Sequence, residues 1–333
     1  MAEIESGIPA GVPPGRVRIA TLSDGVYTEA DRLEALSAVL ADPDAFCWID
    51  LAAPDIDQVG ATTAALHLHP LVAEDIVEGN QRSKIEVTDE HVHMVLFVLR
   101  WDGAMSAEEV DIVLGRRFLL TVHEGGWDPW RTQHLREGVE PVLRRGTDHL
   151  LWAMVDAIVD DYFPMIDRVG DEIDDLQDRV IRTASPQTLE RVFGLKRDLV
   201  MIRRAVAPVR EIFNQLTNRE LTVIDPEEIV YFRDVYDHLI RLTDEVDSQR
   251  ELVSGTLDVY LSTVNNNLSV IMKRLTGITV IIAGIGAIGG LFGMSEAGAA
   301  FSGAEAGGFW LVVAFTVLGA VVTAAILRRI DWI

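Results

Sequence analysis

Cysteine is almost missing from this 333-residue sequence: Cys47 stands alone. A lone cysteine excludes a disulfide framework within the chain and agrees with a reducing compartment. It also excludes a cysteine metal cluster. No pattern joins a nucleophile to a base, and no phosphate-cradling loop is visible, so an enzyme is not expected. Positive charge is scarce too: 29 Lys and Arg stand against 52 Asp and Glu, a formal net charge of −23. Residues 1–274 hold almost all of it, with 27 basic and 49 acidic side chains. A surface this acidic argues against nucleic acid as a partner. It suits a domain surrounded by cations, or plain solubility. The first 15 residues, MAEIESGIPAGVPPG, lack the basic and apolar blocks of a signal peptide and read as a disordered tail (1–15).

Charge of either sign is absent from residues 275–295 and again from 306–327. Each run is about as long as the ~20 helical residues that cross a hydrocarbon core. Two buried core helices are the alternative, but little chain remains there to bury them. The reading is two transmembrane helices, 275–294 and 309–328, joined by a loop at 295–308. Lys273 and Arg274 precede the first span, and Arg328 and Arg329 follow the second. By the positive-inside rule both termini are cytoplasmic, the loop is outside and 329–333 is a cytoplasmic tail. The expected location is the plasma (inner) membrane, multi-pass.

Residues 16–126 alternate strand and helix signals and read as a cytoplasmic α/β domain. AFCWIDLA and HVHMVLFVLRW are β-rich, and EEVDIVLGRRFLLTVHE reads as two strands turning near Gly115. Residues 127–220 read as a helical hairpin, its first arm one long helix with a kink at Pro164 and an acidic face of Asp167, Asp171, Asp174, Asp175 and Asp178. The third helix, 225–294, opens on IDPEE: Asp225 as N-cap, Pro226 at N1 and Glu228 at N3 of a capping box. No proline follows Pro226. An apolar seam from Ile229 to Leu275 repeats at about 3.5 residues, so this stalk runs into the first span as one helix of roughly 100 Å. A rod of this kind invites several copies to pack around an axis. Two histidine pairs stand out. His69, before Pro70, reads as a helix cap. His91 and His93 share one face of a strand, read as exposed and not as a metal pair.

The first span carries six glycines. Gly286 and Gly290 are four apart, as are Gly289 and Gly293, a spacing that lets membrane helices approach closely. Met272, Leu275, Thr279, Ala283, Gly286, Gly290 and Gly293 also form one stripe. Around a symmetry axis its small residues leave room for water, and Met272 and Leu275 make an apolar constriction. With no charge on the stripe a hydrated ion is favoured, and Mg2+ releases its waters reluctantly.

YLSTVNNNLSVIMKRLTGITVIIAGIGAIGGLFGMS resembles the signature segment of the CorA family of magnesium and divalent-cation channels. So do LHPLVAEDIVEGNQRSKIE, VDAIVDDYF, YFRDVYDHLIRLTDEVDSQRELVSGTLDVYLS and the final LRRIDWI. The resemblance implies an α+β membrane protein: an α/β cytoplasmic domain, a long helical stalk that lines the pore, and two C-terminal transmembrane helices in a symmetric homopentamer. It sets the family's Gly-Met-Asn selectivity motif on Gly293, Met294 and Ser295, with serine in place of asparagine. Ser269 likewise stands where the family often has asparagine, on the cytoplasmic side of the pore. In a pentamer Glu296 and Glu305 would form acidic rings at the mouth. The family's regulatory divalent ions, bound between neighbouring subunits, match Glu74, Asp75, Asp156 and Asp234, all carboxylates as a hard cation requires.

Three functions follow from these readings. The first is a channel for Mg2+, with Co2+ and Ni2+, conducting hydrated ions and closed by cytoplasmic divalent cation. The second is a zinc transporter of the ZntB type, with or without proton coupling, since EAGAAFSGAEAGGFW resembles the loops of that branch equally. The third is a membrane-anchored metal sensor that conducts nothing. The expected partners are the lipid bilayer, divalent cations and further copies of the chain.

Overall fold

The computed structural model describes residues 15–79, 82–219, 221–293, 305–330 and 332. The expected N-terminal tail lies outside these residues except for Gly15. Two compact units are present, one of Met1–Leu176 with Glu190–Ser254, the other of Gln177–Leu189 with Gly255–Ile333.

The first unit is built on a seven-stranded sheet. Its strands are β1 (Arg16–Ser23), β2 (Val26–Ala30), β3 (Phe46–Ala52), β4 (Lys84–Val87), β5 (His91–Trp101), β6 (Met105–Gly115) and β7 (Phe118–His123). They lie in the order β2-β1-β3-β7-β6-β5-β4. β3 and β7 run parallel, and every other pairing is antiparallel. The apolar runs read as strands are therefore strands. β3 and β7 occupy the middle and are buried along nearly their whole length, which is why their apolar residues do not alternate with exposed ones. Asp24 and Gly25, both at positive φ, form the two-residue turn between β1 and β2. At the turn from β6 to β7, Arg116 and Arg117 make the loop. Gly115 is needed beside it because a Cβ there would lie 2.2 Å from the Phe118 ring.

Helices α1 (Glu34–Leu40), α2 (Ile56–Ala65) and α3 (Pro70–Glu78) follow the early strands. Val59, Leu66, Leu68, Val72 and Ile76 from the α2–α3 segment pack with Val17, Ile49, Leu51, Val113, Leu120 and Val122 of the sheet. Each side chain of this size contributes about 1.5–3 kcal/mol when fully buried. α2 is closed by a capping box between Asp55 and Gln58. At α3, His69 is the N-cap and its Nδ1 accepts from the Leu71 N–H at 3.2 Å, as its place before Pro70 implies. Cys47 is buried in the same core, and burial pushes its thiol up to about 12.

After the short α4 (Glu140–Leu143), α5 (Thr147–Asp160) is buried almost all round. The single helix expected across Pro164 is in fact two, α5 and α6 (Tyr162–Arg182), parted at Asp161. Pro164 could not have donated to the Asp160 carbonyl, and its ring would crowd that group, so the break falls one turn before it. The acidic face of α6 is exposed as expected, while Ile166, Val169, Ile173 and Leu176 face inward. α7 (Pro186–Asn218) follows.

The stalk, α8, runs without interruption from Ile229 to Gly293. Its start differs from the expected capping box. Asp225 lies in a turn that precedes the helix, where its side chain accepts from the Glu227 N–H at 2.9 Å, and the Glu228 carboxylate turns into the protein. It meets His149 Nδ1 at 2.7 Å and Arg145 Nη2 at 2.9 Å. The Asp225 N–H donates instead to Asp148 Oδ2 at 2.8 Å. The tertiary ion pair outcompetes the local cap because Glu228 is buried there. Phe232, Val235, Leu239, Leu242, Val246 and Val253 of the seam are buried. Gln249 takes the seam position between the last two, donating to the Ile166 carbonyl at 3.0 Å.

In the second unit, α8 from Gly255 onward and α9 (Glu305–Arg329) leave most large apolar side chains exposed. Stretches within Ile229–Leu291 and Trp310–Arg329 are long and apolar enough to cross a membrane, with 6% of each stretch buried inside the chain.

Candidate functional site

Asp156 on α5 and Asp234 and His238 on α8 converge. One ligand atom from each lies within 4.8 Å of the others. Opposite ligands of an octahedral Mg2+ stand about 4.2 Å apart, so small side-chain movements suffice to close the set on an ion. Asp156 is buried and its Oδ2 is 2.7 Å from His134 Nε2. Asp234 is exposed. His238 is half-buried, edged by the Phe163 ring at 5.8 Å. Its Nδ1 is buried without a hydrogen-bond partner, with Asp160 Oδ1 no nearer than 3.6 Å. Asp160 is itself held by Gln133 Nε2 at 2.6 Å. The cluster therefore offers two carboxylates and an imidazole, with a second imidazole bonded to one of the carboxylates. Oxygen ligands suit hard cations, and imidazole adds affinity for zinc, cobalt and nickel.

Two of the four carboxylates matched by resemblance, Asp156 and Asp234, are thus brought together within one chain. Glu74 and Asp75 are not part of that cluster. Both lie on α3, where Asp75 is paired with Lys84. Sequence reasoning missed His238 and His134. The first was findable, since Asp234 and His238 are four apart on a helix and share a face. Nothing in the sequence ties His134 to Asp156.

On α8, Ser269, Met272, Leu275, Thr279, Ala283, Gly286 and Gly290 are all exposed within the single chain. The hydroxyls of Ser269 and Thr279 donate to the Asn265 and Leu275 carbonyls at 3.0 and 2.8 Å. They are satisfied within their own helix. A Cβ built at Gly284, Gly286, Gly289 or Gly290 would meet nothing within 4 Å. No described contact inside this chain requires these glycines. Gly293 is the last residue of α8, and Met294, Ser295 and Glu296 lie outside the described residues. Glu305 opens α9, and its side chain also lies outside the description.

Residues 43–329 match the family model described as CorA-like Mg2+ transporter protein. The cobalt/magnesium transport protein CorA of Thermotoga maritima is 37% identical over 234 residues, 68% of this chain and 66% of the relative. The complete structure of the CorA magnesium transporter from Methanocaldococcus jannaschii superposes with a TM-score of 0.78 at 23% identity, covering 95% of this chain and 98% of that one. That likeness establishes the shared fold. The zinc transport protein ZntB of Photorhabdus laumondii is 28% identical over 182 residues, 50% of this chain and 53% of its own. The match runs from just before β3 to the end of α9, and the chain belongs to the CorA-like Mg2+ transporter family.

Proposed function

We propose that the chain forms a homopentameric pore, lined by α8, that carries hydrated Mg2+, Co2+ or Ni2+ into the cell. The membrane is the plasma (inner) membrane, with both termini cytoplasmic. The observation that carries the reading is the α8 stripe. Its seven described residues are exposed, and its glycines serve no contact within the chain. Each glycine in a helix interior costs about 1 kcal/mol relative to alanine. A run of them persists where something outside the chain needs the space: a neighbouring copy, a water column, or both. Gly293, Met294 and Ser295 form the outer mouth in this reading, with Glu296 and Glu305 concentrating cations there. The membrane potential supplies about 2.3 kcal/mol per charge per 100 mV, twice that for a divalent ion.

Cytoplasmic divalent cation closes the pore by binding Asp156 and Asp234, with Glu74 and Asp75 of a neighbouring copy. An ion there offsets repulsion between acidic subunits, and its loss shifts the population toward the open state. His238 and His134 favour a second reading, zinc as the preferred ion, in line with the ZntB relative.

Cross-linking tests the stripe. Cys47 is buried, so a cysteine introduced on α8 reacts in its place. Leu275→Cys is expected to give disulfide-linked dimers on mild oxidation in membranes, and Ile281→Cys, on the opposite side of the helix, is not. Equal cross-linking at both positions, or at neither, contradicts an axis lined by this stripe.

A further inference from the structure

His91 and His93, read from sequence as exposed, are buried, and His93 has no accessible surface. The difference follows from register. β5 is covered on one edge by β4 and on the other by β6, so a histidine near its start is flanked on both sides. His93 sits directly across from Glu86 of β4. On the other side, its Nε2 is 2.8 Å from Asp111 Oδ1 of β6. Its Nδ1 is buried and has no hydrogen-bond partner. A ligand nitrogen of His93 and carboxylate oxygens of Asp75 and Glu86 lie within 4.8 Å of one another.

We propose that Asp75, Glu86 and His93 form, within one chain, a binding site for a borderline divalent cation, Zn2+, Co2+ or Ni2+, that shares only Asp75 with the regulatory site proposed above. Asp111 fixes the ring with its proton on Nε2, which leaves the Nδ1 lone pair for the metal. This is the carboxylate–histidine–metal arrangement that orients a ligating imidazole. Two carboxylates and one imidazole leave a fourth tetrahedral position for water. Glu86 is exposed, which gives the ion a route from solvent.

Two of the three groups pair with a different cation. Lys84 Nζ pairs with Asp75 and lies 3.0 Å from Glu86 Oε1. Burial acts against its charge, but the two carboxylates outweigh that and raise its pKa. The ammonium neutralises the carboxylates but leaves His93 Nδ1 without a partner. A divalent ion satisfies all three groups at once and releases the flexible lysine to solvent. The site therefore exchanges an internal ammonium for a metal.

The experiment uses the full-length protein in detergent carrying Asp234→Asn and His238→Gln, which silences the other cluster. Zn2+ is titrated and bound metal per chain is counted after desalting, and Co2+ is added separately to read its visible ligand-field bands. One Zn2+ per chain is expected, with Co2+ bands that report a nitrogen ligand. Glu86→Gln, at an exposed position where folding is not at stake, is expected to abolish that equivalent. Asp111→Asn is expected to weaken it roughly 10–100-fold, the usual cost of losing an orienting partner. Lys84→Met removes the competing ammonium and is expected to tighten it. If Zn2+ stoichiometry and affinity are the same with and without the Glu86 and Lys84 substitutions, the proposal is overturned, and the reading of the pore stands or falls separately.

Discussion

Gly290→Leu is expected to reduce divalent uptake to background, a fall of well over tenfold, without loss of the folded protein. The reasoning turns on what leucine would meet. In this chain a Cβ at Gly290 finds open space on every side. Leucine is also the better helix former by about 1 kcal/mol and inserts favourably into lipid. If Gly290 faces only lipid, the variant should conduct as well as the parent. If it faces the axis, one isobutyl group from every copy enters the same narrow section and excludes a hydrated ion. Uptake into liposomes, with the oligomeric state checked by native mass spectrometry, separates the two. Undiminished uptake contradicts the assignment of the stripe to the pore.

Asp50→Ala is expected to destabilise the sheet domain by about 3–5 kcal/mol, a large part of the ~5–15 kcal/mol that holds a typical domain. Asp50 is buried on β3. It accepts from Thr121 Oγ1 at 2.6 Å and from Trp130 Nε1 at 2.9 Å, and His123 Nε2 lies 3.3 Å away. Thr121 in turn accepts from Trp48 Nε1 at 3.0 Å. Trp48 and Trp130 stack at 4.1 Å, and the Arg18 guanidinium covers Trp130 at 3.4 Å. Alanine leaves the buried Thr121 hydroxyl and the half-buried Trp130 indole without their acceptor and empties the centre of this network. Guanidinium unfolding followed by tryptophan fluorescence should show a midpoint well below that of the parent. An unchanged midpoint would mean that water or a local shift replaces the carboxylate.

Much of the molecule was legible because its signals are periodic or extreme. Strands β3, β5, β6 and β7 were visible as β-rich, largely apolar runs. The two uncharged stretches fall in helices suited to a membrane. The acidic face of α6 and the cap by His69 needed only local spacing. The failures were tertiary. Glu228 fits a capping box by sequence, but His149 and Arg145, about 80 residues away, claim it. His93 looked like a surface residue until register set it between Glu86 and Asp111. Gln249 interrupts an apolar seam because a backbone carbonyl of α6 waits opposite. Of the candidate metal ligands, Asp156 and Asp234 were named only through motif resemblance. Residues 78 apart show no pattern that ties them together. His238 was missed although its spacing from Asp234 was visible.

The central claim is that this chain passes divalent cations and that cytoplasmic divalent cation shuts it. The direct measurement is Mg2+ uptake into liposomes containing the purified full-length protein, under an inside-negative potential, as luminal Mg2+ is raised. Zn2+, Co2+ and Ni2+ are run in parallel. The account predicts uptake that falls as luminal Mg2+ rises, and that keeps running in Asp156→Asn/Asp234→Asn protein at luminal Mg2+ that stops the parent. Zn2+ flux without Mg2+ flux would move the chain to the zinc reading. No flux of any of the four ions, from protein shown to be folded and assembled, would contradict the account.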